Sequence, residues 1–312
     1  MEATLGRSQF VRLPDGRRLH YMVGGTGGPT VVFESGLGAS RSEWGLVQPL
    51  VARRFRTVVY DRANLGRSDD DAEPRTLERL TGDLSGLLAT LDAGPYILAG
   101  HSYGGTIALV AAAANPGRVA GLVLIDHSDE HVNICCGSPL RRLRRIALAA
   151  RSVIGMLRHL HLLSLAVRRV MPGMPDDVVH DLVTEDLSLR AAQAADEEER
   201  FFIEGLQSLR RHPPAVGDMP VTVISGMKST IFDRSIRKAF VAAHRRTAAR
   251  LDARHVQAAR SNHQVVLTEP QLVAEEIIRI AGDRLGLTVR HQPDDELGLV
   301  DEGPHLPRTA QH

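Results

Sequence analysis

One stretch constrains this chain more than any other: Tyr96-Ile97-Leu98-Ala99-Gly100-His101-Ser102-Tyr103-Gly104-Gly105-Thr106. Residues 96–99 are apolar and read as a buried strand. The Ala-rich residues 106–114 read as a helix that Asn115-Pro116-Gly117 ends. Between them Gly100-His101-Ser102-Tyr103-Gly104 fits G-x-S-x-G. Reversing from strand to helix in so few residues needs a sharp turn. A side chain at position 100 or 104 would collide with neighbouring backbone there, and glycine removes the collision. Such a turn lifts the Ser102 hydroxyl off the strand end and over the helix N-terminus, where N–H groups face developing negative charge. The bland reading is a glycine-rich turn that contains a serine. It accounts for the pentapeptide but not for its flanks, so Ser102 is a candidate nucleophile.

The rest of the chain supplies a sheet around that strand. Residues 10–13 and 17–23, joined by Pro14-Asp15-Gly16, read as a β-hairpin. Residues 30–34 form a continuous apolar strand that leads into Ser35-Gly36-Leu37-Gly38-Ala39-Ser40. Residues 43–52 read as a helix and 57–60 as a strand, followed by the loop Asp61-Arg62-Ala63-Asn64-Leu65-Gly66-Arg67-Ser68-Asp69. Residues 77–91 are amphipathic, with Leu80, Leu84, Leu87, Leu88 and Leu91 on one face. Residues 119–125 form another apolar strand, and Asp126 follows it directly. Strand and helix alternate, so the expected fold is α/β: a mostly parallel sheet with helices on both faces. Ligands of such sheets bind outside the carboxyl ends of the strands, the edge that gathers Leu37, Ser102 and Asp126.

The alternation breaks at residues 131–218 and then resumes. The expected division is a core in two parts, 9–130 and 219–287, a helical cap insertion at 131–218, and a disordered tail at 288–312 dominated by Pro, Asp, Glu, Gly and His. Residues 139–171 carry eight arginines and no acid, whereas 176–199 is acidic. The two pieces are expected to cover each other, with weak contact between the basic face and an anionic membrane surface as the sharper alternative. In the second core part, 220–225 reads as a strand, 235–251 as a helix and 255–259 as a short strand. Ser261-Asn262-His263 is a loop, and the last helix runs from Glu269-Pro270 to Ala281, with Gly282 beyond its end.

Composition narrows the function classes. A chain of 312 residues with a net charge of +1 does not carry the electrostatic footprint of a nucleic-acid binder. Aromatics make up 4%, so the core must be built from Val, Leu, Ile and Ala. The two cysteines, Cys135 and Cys136, are adjacent and pair poorly, which fits a reducing, cytoplasmic setting. Residues 1–10 lack an apolar h-region, so no signal peptide is expected. No apolar run is long enough to span a membrane. Composition leaves the oligomeric state open.

A serine hydroxyl needs an adjacent base to act as a nucleophile. Of 14 histidines, His263 lies on a strand-C-terminal loop after Ser102 in the chain. His101 should point inward, and His159 and His161 fall on the basic helical segment. With four motifs in this order, namely Glu34-Ser35-Gly36-Leu37-Gly38, Tyr60-Asp61-Arg62-Ala63-Asn64-Leu65-Gly66-Arg67-Ser68, Gly100-His101-Ser102-Tyr103-Gly104-Gly105 and Asn262-His263 followed by Leu267-Thr268-Glu269-Pro270, the chain resembles the α/β-hydrolase superfamily from Val11 to about Leu285. The resemblance implies Ser102 as nucleophile, His263 as general base, and the backbone N–H groups of Leu37 and Tyr103 as the oxyanion hole. It gives the loop 60–68 a structural role under the elbow. Family members that open epoxides or carbon–halogen bonds use Asp where this chain has Ser102.

The acid of the triad departs from the usual pattern. No carboxylate follows residues 220–226 closely, and Asp233 is the first after them. Asp126, directly after its strand and before the insertion, is the leading candidate. Asp233 is the second, with a serine–histidine dyad as the third alternative. The expected activity is serine hydrolysis of a carboxylic ester or related small-molecule acyl compound through a Ser102 acyl-enzyme, with thioester, lactone or carbon–carbon cleavage open to the same residues. It needs no cofactor and no metal. The alternative is a non-catalytic small-molecule receptor on the same fold.

Overall fold

The computed structural model describes residues 3–132, 154, 162–231, 233–283, 287–290 and 298–301. An eight-stranded sheet runs through the molecule: β1 (Arg7–Arg12), β2 (Arg18–Gly24), β3 (Thr30–Glu34), β4 (Thr57–Tyr60), β5 (Tyr96–His101), β6 (Val119–Ile125), β7 (Val221–Gly226) and β8 (Arg254–Ala258), in the spatial order β1-β2-β4-β3-β5-β6-β7-β8. The pairs β1–β2 and β2–β4 are antiparallel, and every pairing from β4 through β3 to β8 is parallel. Central strands buried on both faces need apolar residues at every position. Val31, Val32 and Phe33 of β3, Ile97 and Ala99 of β5, and Leu122 to Ile125 of β6 are accordingly fully buried.

After β3 the chain steps to one side, to β4, and β5 lies on its other side. That reversal makes a crevice at the carboxyl ends of β3 and β5, where open α/β sheets place their ligands. The hairpin forms as expected, with Phe10 opposite His20. Helix α2 (Leu77–Leu91) starts at Thr76, whose hydroxyl accepts from the Arg79 N–H, and Leu80, Leu84, Leu87 and Leu88 of its stripe are buried, with Leu91 half-buried. Helix α3 (Tyr103–Ala114) begins at once after Ser102, three residues earlier than its composition suggests.

Other boundaries also differ from the sequence reading. The single helix expected over 43–52 is a 3-10 turn, Arg41–Trp44, and a short helix α1, Gln48–Ala52. Pro49 stands in the first turn of α1 and cannot donate back into a preceding turn, so the two pieces separate. The last helix runs Pro270–Asp283 and takes in Gly282, which is buried and tolerated as a helical residue. The tail expected to be disordered from residue 288 contributes to a strand pair: Leu287–Arg290 pairs antiparallel with Gly298–Asp301. Leu287-Thr288-Val289-Arg290 and Leu299-Val300 are short runs of strand-forming residues that the polar composition of the whole tail conceals.

Between β6 and β7 the described chain is helical: α4 (Leu163–Val170), α5 (Asp176–Asp181), a π turn (Leu182–Asp186) and the long α6 (Leu189–Arg211). The remaining core helices are α7 (Arg234–Arg250), α8 (Val265–Thr268) and α9 (Pro270–Asp283). No helix of the described residues is long and apolar enough to cross a membrane. Arg141, Arg142, Arg144, Arg145, Arg151 and Arg158 of the basic segment lie outside the described residues. Arg168 pairs with Asp176, as expected of facing charges. Asp181, Glu185 and Glu198 turn instead to arginines of the core: Arg41 and Arg67 meet Asp181 and Glu185, and Arg62 and Arg75 meet Glu198.

Candidate active site

The turn after β5 is as tight as its sequence suggests. Ser102 sits at φ 54° and ψ −124°, a conformation that costs a non-glycine residue about 1–3 kcal/mol and persists only where the surroundings hold it. They do: the Ser102 N–H donates to the Ile125 carbonyl at 3.0 Å, and its carbonyl accepts from Gly105 and Ser128 N–H groups at 3.1 and 2.9 Å. A Cβ at Gly104 would lie 2.3 Å from the carbonyl oxygens of Glu34 and Ser35, and one at Gly100 would lie 2.5 Å from the Gly104 oxygen. The elbow is therefore pressed against the loop that follows β3.

The structure brings Ser102, His263 and Asp126 together. Ser102 Oγ lies 2.9 Å from His263 Nε2, and His263 Nδ1 lies 2.7 Å from Asp126 Oδ2. His263 comes from the loop after β8. The ends of β7 and this loop approach so closely that a Cβ on Gly226 would lie 1.8 Å from the Asn262 oxygen. Asn262 Oδ1 accepts the Gln264 N–H at 2.9 Å and fixes the turn that presents the imidazole.

Asp126 directly follows β6 in the left-handed region, φ 42°, and is fully buried. Its Oδ1 accepts the Gly226 N–H at 2.8 Å, and Arg237 Nη1 of α7 stands 2.7 Å from both carboxylate oxygens. Burial works against its charge, but the hydrogen bond from His263, the nearby imidazoles and the Arg237 guanidinium outweigh it and hold the carboxyl well below the usual range. Asp233, the other candidate acid, is elsewhere. It stands at the start of α7, half-buried, and accepts from Thr230 N–H and Oγ1.

His101 points into the molecule. Its Nδ1 lies 2.8 Å from Glu43 Oε1 and its Nε2 lies 2.9 Å from the His263 carbonyl oxygen. Both partners are acceptors, so both ring nitrogens carry protons here. Burial opposes that charge, and the Glu43 carboxylate with the His263 carbonyl outweighs it, raising His101 above the ordinary histidine range. The sequence singled out His101 only as a bystander, yet it buttresses the backbone that carries His263.

The loop after β3 is held atom by atom. Glu43 Oε2 accepts the Gly36 N–H at 2.8 Å, and Glu198 Oε2 of α6 accepts the Gly38 N–H at 2.7 Å. Arg62 donates from Nη1 to the Ser35 carbonyl and from Nη2 to the Gly36 carbonyl, both at 2.7 Å. Leu37 lies between these anchors. Its N–H and that of Tyr103, the first residue of α3, make no hydrogen bond among the described residues. Arg62 also pairs with Glu34, which in turn accepts from the Tyr60 hydroxyl, and burial pushes Glu34 up to about 7. Arg62, Glu34, Glu43 and Glu198 were not singled out from the sequence as site residues.

Comparisons with known proteins identify the family. A model of the alpha/beta hydrolase family matches residues 31–276. The chain belongs to that family. A protein of Mycobacterium tuberculosis (strain ATCC 25618 / H37Rv) described as "Probable oxidoreductase EphD" is 31% identical over 251 residues, which cover 72% of this chain and 42% of that protein. A 2-hydroxy-6-oxononadienedioate/2-hydroxy-6-oxononatrienedioate hydrolase of Paraburkholderia xenovorans (strain LB400) is 37% identical over 126 residues, 38% of this chain and 44% of the relative. This alpha/beta hydrolase therefore spans less than half the length of these two curated relatives. Among solved structures, the enol-lactonase from Burkholderia xenovorans LB400 superposes with a TM-score of 0.60 at 22% identity, over 87% of this chain and 99% of that one. At that identity the likeness shows the fold.

Proposed function

We propose that the chain is a serine hydrolase that cleaves a carboxylic ester or related acyl compound through a Ser102 acyl-enzyme. The observation that carries the reading is the continuous hydrogen-bonded line Ser102–His263–Asp126, with steps of 2.9 and 2.7 Å. His263 Nε2 takes the Ser102 proton as Oγ attacks the acyl carbon, and returns it to the leaving alcohol. A water then enters by the same route and releases the acid. Asp126 keeps the His263 Nδ1 proton in place, so Nε2 is the nitrogen free to accept, and it stabilises the imidazolium that forms. Arg237 and the Gly226 N–H hold Asp126 ionised for that task.

The negative charge of the tetrahedral intermediate is assigned to the N–H groups of Leu37 and Tyr103. Tyr103 donates from the first turn of α3, which the aligned peptide dipoles make favourable for an anion. Leu37 is an unbonded donor between the tethered Gly36 and Gly38. Helices between β6 and β7 cover the same edge of the sheet and are assigned the role of a cap that shapes the acyl pocket. The test is a series of p-nitrophenyl esters from acetate to laurate against the parent and Ser102→Ala. The parent is expected to hydrolyse at least one of them and Ser102→Ala none. Equal rates for the two proteins would refute the serine mechanism. A parent that hydrolyses none and takes no fluorophosphonate at Ser102 would favour the receptor reading.

A further inference from the structure

The anchors of the loop after β3 come from two sources. Glu43 and Arg62 belong to the core, whereas Glu198 arrives on α6, 160 residues away in sequence from the Gly38 N–H it accepts. Within Asp196-Glu197-Glu198-Glu199, Glu198 is fully buried. Its Oε1 accepts from Arg62 Nε at 2.9 Å and from Arg75 Nη2, and its Oε2 accepts from Arg62 Nη2 at 3.0 Å. Arg62, Arg75, Glu34 and Glu198 form a buried cluster of two guanidinium and two carboxyl groups. The packing against α6 is close as well: a Cβ on Gly38, which sits at φ +67°, would lie 2.4 Å from the Ala195 Cβ.

A buried carboxylate is stable only with its partners around it. Withdrawing α6 would leave Arg62 and Arg75 without Glu198. Arg62 is the group that holds the Ser35 and Gly36 carbonyls, so its displacement would release the peptide on the other side of Leu37 as well. The N–H of Leu37 is thus aimed by a guanidinium and a carboxylate that are complete only when α6 is seated.

We propose that Glu198 is a positioning residue of the oxyanion loop, so that seating helix α6 on the core and forming the Leu37 half of the oxyanion hole are one event. The inference rests on the serine-hydrolase reading. It makes the helices after β6 a condition of transition-state stabilisation as well as the wall of an acyl pocket. Glu198→Gln keeps the shape and one acceptor but removes the charge that Arg62 and Arg75 face. Glu198→Asp keeps the charge but falls one methylene short of the Gly38 N–H, and it carries the test if the glutamine variant does not fold.

The experiment measures kcat and KM on p-nitrophenyl acetate, with active sites counted by fluorophosphonate labelling taken to completion. It also measures the inhibition constant of a trifluoromethyl ketone, whose adduct with a serine carries an oxyanion. Loss of one oxyanion donor lowers kcat by about a hundred- to a thousandfold, and a misaimed donor by less. Each folded variant is expected to lose about ten- to a hundredfold in kcat per labelled site, with KM within about threefold and ketone affinity falling in step with kcat. A merely structural role would lower thermal stability and the number of labelled sites but leave kcat per site and ketone affinity at parent values. That result would overturn the inference. A parent that neither labels at Ser102 nor hydrolyses the ester would overturn the hydrolase reading and this inference with it, whereas an active parent with unaffected variants overturns this inference alone.

Discussion

Replacing Asp126 by Asn separates the two jobs that the site gives this carboxylate. The fully buried group faces four donor contacts: His263 Nδ1 at 2.7 Å, Gly226 N–H at 2.8 Å, and Arg237 Nη1 at 2.7 Å from each oxygen. An amide offers one acceptor oxygen. Arg237 and Gly226 can only donate, so the oxygen turns to them and the NH2 turns to His263. An amide donating to Nδ1 forces the proton onto Nε2, and that nitrogen can no longer accept from Ser102. The wrong tautomer in a serine–histidine–aspartate site costs on the order of 10⁴ in kcat, about 5.5 kcal/mol of barrier. The same change leaves the Arg237 guanidinium without its counter-ion in a nearly buried position, which destabilises the fold by about 3–5 kcal/mol. Adding Arg237→Met to Asp126→Asn removes the stranded charge and should recover most of the stability but none of the rate. Asp233→Asn, at a half-buried helix start, should leave both within about 0.5 kcal/mol of the parent. The assay is kcat on the best p-nitrophenyl ester with urea denaturation of each variant. Activity of Asp126→Asn within tenfold of the parent, or a larger loss in Asp233→Asn, would refute the assignment of the acid.

Two further predictions follow from the geometry. Gly104→Ala should destabilise the protein by about 3 kcal/mol or more, because the new methyl meets two backbone oxygens that cannot move aside, and a denaturation midpoint equal to that of the parent would show that the loop after β3 is not pressed on the elbow. His101 is raised above its unfolded value by Glu43, so its contribution to stability is complete below about pH 6.5 and is lost as pH rises through its folded value. The thermal midpoint of the parent should fall toward that of His101→Gln over that rise, and a constant gap between the two at all pH values would refute the charged His101–Glu43 pair.

The sheet was legible because most of its strands are short apolar runs bounded by turn residues, and because Ser102 and Asp126 directly follow such runs while His263 stands on the short loop after the last strand. Placement at a strand end is a local property, and the fold converts it into proximity at one edge. The helix boundaries were legible where the stripe was strong, as in α2. They slipped where one residue decides, as at Pro49 and Gly282. What the sequence concealed is the support around the site. Arg62 and Glu198 are 136 residues apart, and nothing in either neighbourhood announces the other. A signal for Glu198 does exist. It falls in helical register with the buried Ala191 and Ala194, on the apolar stripe of α6, where an unpaired carboxylate would not be tolerated. The turn of Asp181 and Glu185 toward Arg41 and Arg67 has no such local mark, since acidic residues beside a basic segment predict pairing within the insertion.

Whether Ser102 is an activated nucleophile is decided by incubating the parent, Ser102→Ala and His263→Ala with a fluorophosphonate and reading the mass of the intact protein and of its peptides. One equivalent is expected to add to the parent, on Ser102 in the elbow peptide. No addition is expected to Ser102→Ala, and labelling should slow at least a hundredfold in His263→Ala, because the serine is activated only with its base beside it. Labelling of the parent at another residue, or equal labelling of all three proteins, would contradict an activated Ser102.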